Sequence, residues 1–261
     1  MTQEARLERD GPIATIVLNR PQSRNSLTVA MGDDLGRIVA ELHGDESVRA
    51  VIVRGEGECF SAGGDLKFLE ERISSSTYDN RRAMRAFYMR FLELRTLRAP
   101  TIAAIHGAAM GAGICVALAC DLRIVATGTK LALNFVRLGL PPGMGATLML
   151  PRLIGPANAA ELLLTGKFVE PETALRMGLV NEVVPAADLW KRARAIADEI
   201  AEAAPRAVAA TTHLLRGFTT NHLEAALAAE AEAQALEYAS EDLAEGVRAI
   251  REKRKPVFSG K

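Results

Sequence analysis

The sequence predicts an α/β protein whose second half turns helical. Two observations carry this expectation. Short β-branched runs alternate with amphipathic stretches and glycine-rich loops as far as residue 126. From Pro156 onward alanine is abundant, β-branched runs are absent and apolar residues recur at helical spacing.

The alternation opens with a β-hairpin, in which residues 6–8 and 13–18 flank the turn pair Asp10-Gly11. Residues 27–42 place Leu27, Met31, Leu35, Ile38, Val39 and Leu42 on one helical face. Residues 50–53 form a short β-branched run that reads as a buried strand, and a glycine-rich loop follows over residues 55–64. The plan then repeats. An amphipathic helix over 87–97 is punctuated by Pro100, and a strand over 101–105 leads into a second glycine-rich loop, 107–113. A short apolar helix ends near Cys120, and residues 122–126 make a third strand. This order suits a core with right-handed crossovers. Helices are then expected over 157–164, 171–177, 188–203, 207–217, 223–239 and 242–253. With no low-complexity linker between them, residues 1–200 read as the core and 201–261 as a helical C-terminal region, an appendage rather than an independent domain.

Composition narrows the partners. The 261 residues are 49% hydrophobic and 25% charged, ordinary for a globular protein with a sizeable core. Lysine plus arginine equals aspartate plus glutamate at 32 each, which argues against nucleic acid or an anionic membrane as the main partner. A local basic patch can still hold a small anion. Three cysteines, Cys59, Cys115 and Cys120, read as free thiols of a reducing compartment. Residues 1–9 carry mixed charge and no apolar run of a signal peptide, so a cytoplasmic location is expected. Residues 101–120 reach membrane-spanning length, but Gly107, Gly111 and Gly113 crowd their middle and suit a strand, a tight loop and a buried helix.

The two glycine loops carry the chemistry. Loop one includes Cys59-Phe60-Ser61-Ala62-Gly63-Gly64-Asp65, and loop two His106-Gly107-Ala108-Ala109-Met110-Gly111-Ala112-Gly113. Each follows a strand and precedes a helix, where backbone N–H groups lack intrahelical partners and the helix dipole adds positive potential. Two such loops facing each other could bind one oxygen that becomes negative during reaction. Tight turns and close helix packing are the plainer reading of either loop alone. Neither loop has the ending of a phosphate-binding P-loop or a dinucleotide fingerprint.

Beyond single loops, eight pieces stand in one order. They are Asn19-Arg20-Pro21 with Asn25-Ser26-Leu27, Phe60-Ser61-Ala62-Gly63-Gly64-Asp65, residues 107–113, and Ala119-Cys120-Asp121-Leu122-Arg123-Ile124. Next come Leu138-Gly139-Leu140-Pro141-Pro142-Gly143, Leu164-Thr165-Gly166, Gly178-Leu179-Val180 and Glu252-Lys253-Arg254-Lys255-Pro256-Val257-Phe258. In this order they resemble the crotonase (enoyl-CoA hydratase/isomerase) superfamily along nearly the whole chain. The resemblance implies a spiral of strand-strand-helix repeats with a helical C-terminal region, assembled as a homotrimer or dimer of trimers. It implies an acyl-CoA thioester as ligand, with coenzyme A part of the substrate and neither a metal nor a separate cofactor. It places the two oxyanion-hole N–H groups on Gly64 and Ala112, the latter where glycine is commoner. It also places contacts to coenzyme A near Arg24, Ala62 and Leu66, with Lys253 reaching toward the nucleotide phosphates.

The resemblance breaks at one point. The two glutamates of family hydratases, which position water and shuttle a proton, match Cys115 and Phe135 here. Between Glu93 and Glu161 the only acidic residue is Asp121, which reads as the structural partner of an arginine. Asp65 reads as a helix cap. Glu70, Glu71, Asp79 and His106 are weaker candidates for acid–base work, and Asn134 and Arg137 for contact with a substrate carboxylate. Two functions therefore remain open. One is an enzyme that stabilises an enolate without hydratase glutamates, of isomerase or decarboxylase type; the other is a catalytically silent acyl-CoA-binding protein.

Overall fold

The computed structural model describes residues 3–261, except for the side chains of residues 218, 219 and 221. β1 (Ala5–Asp10) and β2 (Ile13–Leu18) form the hairpin, with Gly11 at φ +59° in its turn. α1 (Val29–His43) starts where the Thr28 hydroxyl accepts the Met31 N–H at 3.0 Å. β3 (Ala50–Gly55) pairs parallel to β2, and α2 (Leu66–Ile73) and α3 (Thr77–Leu92) follow. β4 (Thr101–Ile105), β5 (Ala108–Met110) and α4 (Ala112–Ala119) make the next turn, then β6 (Leu122–Ala126) and β7 (Lys130–Ala132). The remainder comprises α5 (Ala146–Thr165), β8 (Phe168–Val169), α6 (Pro171–Met177), β9 (Glu182–Val184), α7 (Leu189–Glu202), α8 (Pro205–Glu237) and α9 (Glu241–Arg251).

A six-stranded sheet runs β1-β2-β3-β4-β6-β9, parallel throughout except at β1. A smaller sheet runs β5-β7-β8. Two isolated pairings, Leu27 with Gly64 and Ser61 with Ala109, prolong the smaller sheet into a row. Each pass of the chain thus gives one strand to the large sheet, one short pairing to the row, and then a helix. That is the strand-strand-helix spiral.

The large sheet is buried on both faces, so its strands read as continuous apolar runs. Side chains alternate along β3: Val51 and Val53 join the main core beneath α1 and α3, while Ala50 and Ile52 pack with Ile102, Ile124, Ala193 and Ala197 beneath α7. No helix among the described residues is long and apolar enough to cross a membrane, and residues 101–120 resolve into β4, β5 and α4.

Several boundaries differ from the expectation, each for a local reason. α3 begins ten residues before 87, because the Ser76 hydroxyl caps the Asp79 N–H and arginines crowd the first turns. The second glycine loop contains β5, and the stretch after Pro156 contains β8 and β9, two and three residues long, too short to show alternation. The two helices expected over 207–217 and 223–239 are the single 33-residue α8. Gly217 does not break it; a mid-helix glycine costs only about 1 kcal/mol against alanine. α8 lies along α3 and α5, and Arg81–Glu232 and Arg85–Glu224 ion pairs tie it to α3.

Candidate active site

A cavity of about 520 Å³ opens where the two glycine loops meet α2, α3, the 3-10 turn at Phe135–Leu138, α8 and α9. Phe68, Leu69, Met84, Phe87, Phe135, Leu140 and Met144 give it mostly apolar walls. Phe68 stacks on Phe87 at 4.8 Å between ring centroids.

Loop one is held from below by Asn25, which is fully buried and sits at φ +52°. Its amide nitrogen donates to the Glu56 and Cys59 carbonyls, each at 2.8 Å, and its side-chain oxygen accepts the Arg20 N–H at 2.8 Å. Three bonds over-determine the unfavourable backbone conformation. Above this clamp, nearly every loop amide is spoken for. Phe60 N donates to His106 O, Ser61 N to Ala108 O, Ala62 N to Arg24 O, Gly63 N to the Ser61 hydroxyl and Asp65 N to Leu27 O. Among the described residues, the Gly64 N–H has no acceptor, and Gly64 lines the cavity.

Loop two presents the second donor. Gly111 takes φ +49°, a conformation that favours glycine, and its N–H donates to Ala132 O. Ala112 is then the first residue of α4, so its N–H has no intrahelical partner, and it too lines the cavity. The loops touch backbone to backbone. A methyl on Gly63 would lie 2.7 Å from the Met110 oxygen and 3.7 Å from the Ala112 nitrogen. A methyl on Gly113 would lie 2.7 Å from both the Ser61 carbonyl oxygen and its hydroxyl. Small residues there permit the close approach that brings both N–H groups to one cavity.

Asp65 is the one carboxylate among the described lining residues. It caps α2 through the Lys67 and Phe68 N–H groups and accepts from Arg20 at 3.1 Å and Ser26 at 3.0 Å. Burial opposes its charge, but the hydrogen bonds from Arg20, Ser26 and Phe68 outweigh that cost and lower its pKa. It is ionised and engaged.

The enoyl-CoA hydratase/isomerase family model matches residues 8–261. The chain belongs to this family. It is 34% identical over 250 residues to the short-chain-enoyl-CoA hydratase of Clostridium acetobutylicum, covering 95% of each chain. It is 33% identical over 256 residues to the crotonyl-CoA hydratase of Syntrophomonas wolfei, covering 98% of this chain and 97% of that one. The crystal structure of an enoyl-CoA hydratase from Bacillus halodurans superposes with a TM-score of 0.87 at 29% identity, covering 94% of this chain and 99% of that one.

Of the positions matched to the enoyl-CoA hydratase/isomerase family, the fold brings six to the cavity: Gly64, Ala112, Phe135, Arg24, Ala62 and Leu66. Cys115 and Lys253 are not among the lining residues. Cys115 is fully buried behind the wall, its sulfur 3.7 Å from the Gly143 carbonyl oxygen, and burial with the nearby Glu230 charge pushes its pKa well up. Lys253 is exposed just beyond α9. Asn134 lines the cavity, whereas Arg137 donates to the Thr165 carbonyl at 2.6 Å. His106 bonds the Gly57 carbonyl at 2.9 Å, Glu70 pairs with Arg251, and Asp79 bonds its cap Ser76.

Sequence reasoning missed the polar end of the cavity. The Tyr88 hydroxyl donates to Gln234 Oε1 at 2.6 Å, and Gln234 Nε2 donates to the Pro141 carbonyl at 2.8 Å. Gly143 leaves the room, since a methyl there would lie 2.6 Å from the Tyr88 hydroxyl. Tyr238 completes this end. The acid nearest Cys115 in effect is also a tail residue. Glu230 caps α5 by accepting the Gly145 N–H at 2.6 Å and the Thr147 N–H at 2.8 Å. Burial raises its pKa against those bonds. The lone Gln234 within the run Ala-Glu-Ala-Gln-Ala was the one visible signal.

Proposed function

We propose that this chain is an enzyme that binds an acyl-CoA thioester and stabilises its enolate at Gly64 and Ala112, and that it is not an ordinary hydratase. The observation that carries this reading is the pair of unpartnered N–H groups at one apolar cavity. Such donors gain strength as a thioester oxygen becomes negative, and they need no reorganisation when it does. Hydration asks for more: a water held at one carbon and a proton delivered to its neighbour. Here a buried thiol and a phenyl ring occupy the matched positions, and the one lining carboxylate is tied to Arg20 and α2. Of the two chemistries open to an enolate-stabilising site, decarboxylation fits better, because an isomerase would still need a base to carry its proton from carbon to carbon. Decarboxylation asks least of the side chains, because loss of carbon dioxide leaves its electron pair on the α-carbon and needs no base.

The same lack of a free lining carboxylate favours a second reading, a catalytically silent acyl-CoA-binding protein. Titration with crotonyl-CoA, coupled to a screen of acyl-CoA thioesters for turnover, separates the two. Tight binding of crotonyl-CoA with hydration orders of magnitude below ordinary enzyme rates, and turnover of another thioester, is expected. Hydration of crotonyl-CoA at ordinary rates by the pure protein would overturn the reading. Binding without turnover of any thioester would favour the silent one.

A further inference from the structure

The end of the cavity at the glycine loops carries a polar side chain that the protein itself does not use. Asn134 lines the cavity two residues after β7, the strand whose Ala132 carbonyl accepts the Gly111 N–H. It stands at the start of the 3-10 turn Phe135–Leu138, where an asparagine side chain ordinarily folds back onto the first free N–H groups. Asn134 makes no such cap bond, and among the described residues its carboxamide has no hydrogen-bond partner. Its backbone, by contrast, is fixed. The carbonyl accepts the Arg137 N–H at 3.0 Å, and a methyl on Gly166 would lie 3.2 Å from the Asn134 Cα.

The carboxamide sits beside the second glycine loop's donor. A methyl on Gly111 would lie 3.3 Å from Asn134 Oδ1, and the next residue is Ala112. Asn134 is half-buried, and neither of its amide atoms is among the buried polar atoms that lack a partner, so both are accessible. Its polar neighbours in the wall are engaged: Ser26 bonds Asp65, and Tyr88 bonds Gln234. Arg137, three residues on, is turned to the Thr165 carbonyl. The cations among the described lining residues are Arg24 and Lys67, both exposed. Asn134 therefore offers donors without bringing a charge.

We infer that Asn134 holds a carboxylate on the carbon next to the thioester carbonyl, so that the preferred ligands are CoA thioesters of the malonate type. This rests on the acyl-CoA reading of the cavity and adds what the acyl group carries. A thioester oxygen held by the Gly64 and Ala112 N–H groups keeps its α-carbon at this end, within reach of the amide. The bond between the α-carbon and the carboxylate then breaks, and carbon dioxide leaves. The electron pair stays on the α-carbon and delocalises onto the thioester oxygen, and a solvent proton later returns to that carbon. Negative charge thus moves from the group at Asn134 to the oxygen at the loops. A neutral amide orients the reactant without stabilising its charge as an arginine would, which leaves the transition state the better-bound species.

Calorimetric binding of an unreactive pair tests it, alongside release of carbon dioxide from malonyl-, methylmalonyl- and ethylmalonyl-CoA. Sulfoacetyl-CoA places anionic oxygens where the malonyl carboxylate stands and cannot lose carbon dioxide; acetyl-CoA is its plain counterpart. Sulfoacetyl-CoA binds about ten- to a hundred-fold more tightly, the range of a hydrogen bond to a charged group. Asn134→Leu keeps the bulk, removes the donors and brings the two affinities level. Asn134→Asp sets a like charge there and makes sulfoacetyl-CoA the weaker ligand. Equal binding of the pair by the wild type, or a preference that survives Asn134→Leu, overturns the inference. A preference that depends on Asn134 without carbon dioxide release from any malonyl thioester upholds the recognition and removes the decarboxylation reading. Failure of every thioester to bind removes the acyl-CoA reading itself, and this inference with it.

Discussion

Asp121, at the entry to β6, receives both ends of the Arg216 guanidinium from α8: Nε to Oδ1 at 2.8 Å and Nη2 to Oδ2 at 2.5 Å. The carboxylate also accepts the Thr101 N–H at 2.7 Å, so one acid joins β4, β6 and the C-terminal region. Burial alone would raise the Asp121 pKa, but the Arg216 hydrogen bond and charge and the Thr101 bonds outweigh it and hold it low. A depressed folded-state value means that the unfolded chain binds more protons in acid. The stabilisation is therefore complete above the unfolded carboxylate pKa of about 3.9 and is lost as pH falls through the folded value. Asp121→Asn should cost about 3–5 kcal/mol at neutral pH, as for breaking a buried pair, and the gap to wild type should narrow on acidification. Matching urea midpoints at pH 7 would contradict this.

Gly64 separates donor from shape. Gly64→Pro deletes the N–H and should lower turnover of the best thioester about 100- to 1,000-fold, the usual loss for one oxyanion donor. Gly64→Ala keeps the N–H, and the nearest atom to the added methyl is Leu69 Cδ2 at 4.0 Å. It should retain most activity. Similar losses in both variants would assign Gly64 a steric role instead.

The thiols should be silent in the native protein. Burial pushes Cys120 up to about 12 and Cys115 well up too, and both side chains are buried. A thiol held protonated and out of water is a poor nucleophile. Iodoacetamide at pH 8 should leave turnover intact, and labelling of Cys115 and Cys120 should appear only after denaturation. Rapid inactivation that maps to Cys115 would show instead that this thiol is reachable and reactive.

We propose that the chain self-associates as a trimer or a dimer of trimers. Leu164, Phe168, Leu214 and Leu215 are each more than half exposed, from 62% to 76%, on α5, β8 and α8. Apolar side chains of that size are commonly covered in an assembly. Light scattering at micromolar concentration should give a mass of three or six chains, and Leu214→Glu with Leu215→Glu should reduce it. A stable monomer of the wild type would refute this.

The sheet was legible because its strands are buried on both faces. β4 and β6 match the expected runs at both ends, and the loops that carry Gly64 and Ala112 follow from glycines placed between a strand and a helix. Asp121 was legible as an ion-pair partner, although nothing local pointed to Arg216, 95 positions away. The polar end of the cavity was illegible for the same reason. Tyr88 reads as one more core aromatic of α3 until Gln234 meets it from 146 positions downstream. β8 and β9 escaped notice because two or three residues cannot display a period of two. Cys115 marked the right position in the chain, but not a place in the cavity wall, since its side chain turns toward Gly143.

α8 also sets an order of events. At 1.5 Å per residue its 33 residues span about 50 Å. From one end to the other it supplies the arginine for Asp121, the carboxylate that caps α5 and the glutamine of the cavity. A ribosome delivers these groups only after every strand of the sheet and both glycine loops. Until then Tyr88 has no Gln234 and the start of α5 has no Glu230. A nascent chain halted before α8 therefore carries a nearly finished sheet and both glycine loops, but a cavity open on one side. Ligand binding would then report the arrival of α8 rather than a folded sheet.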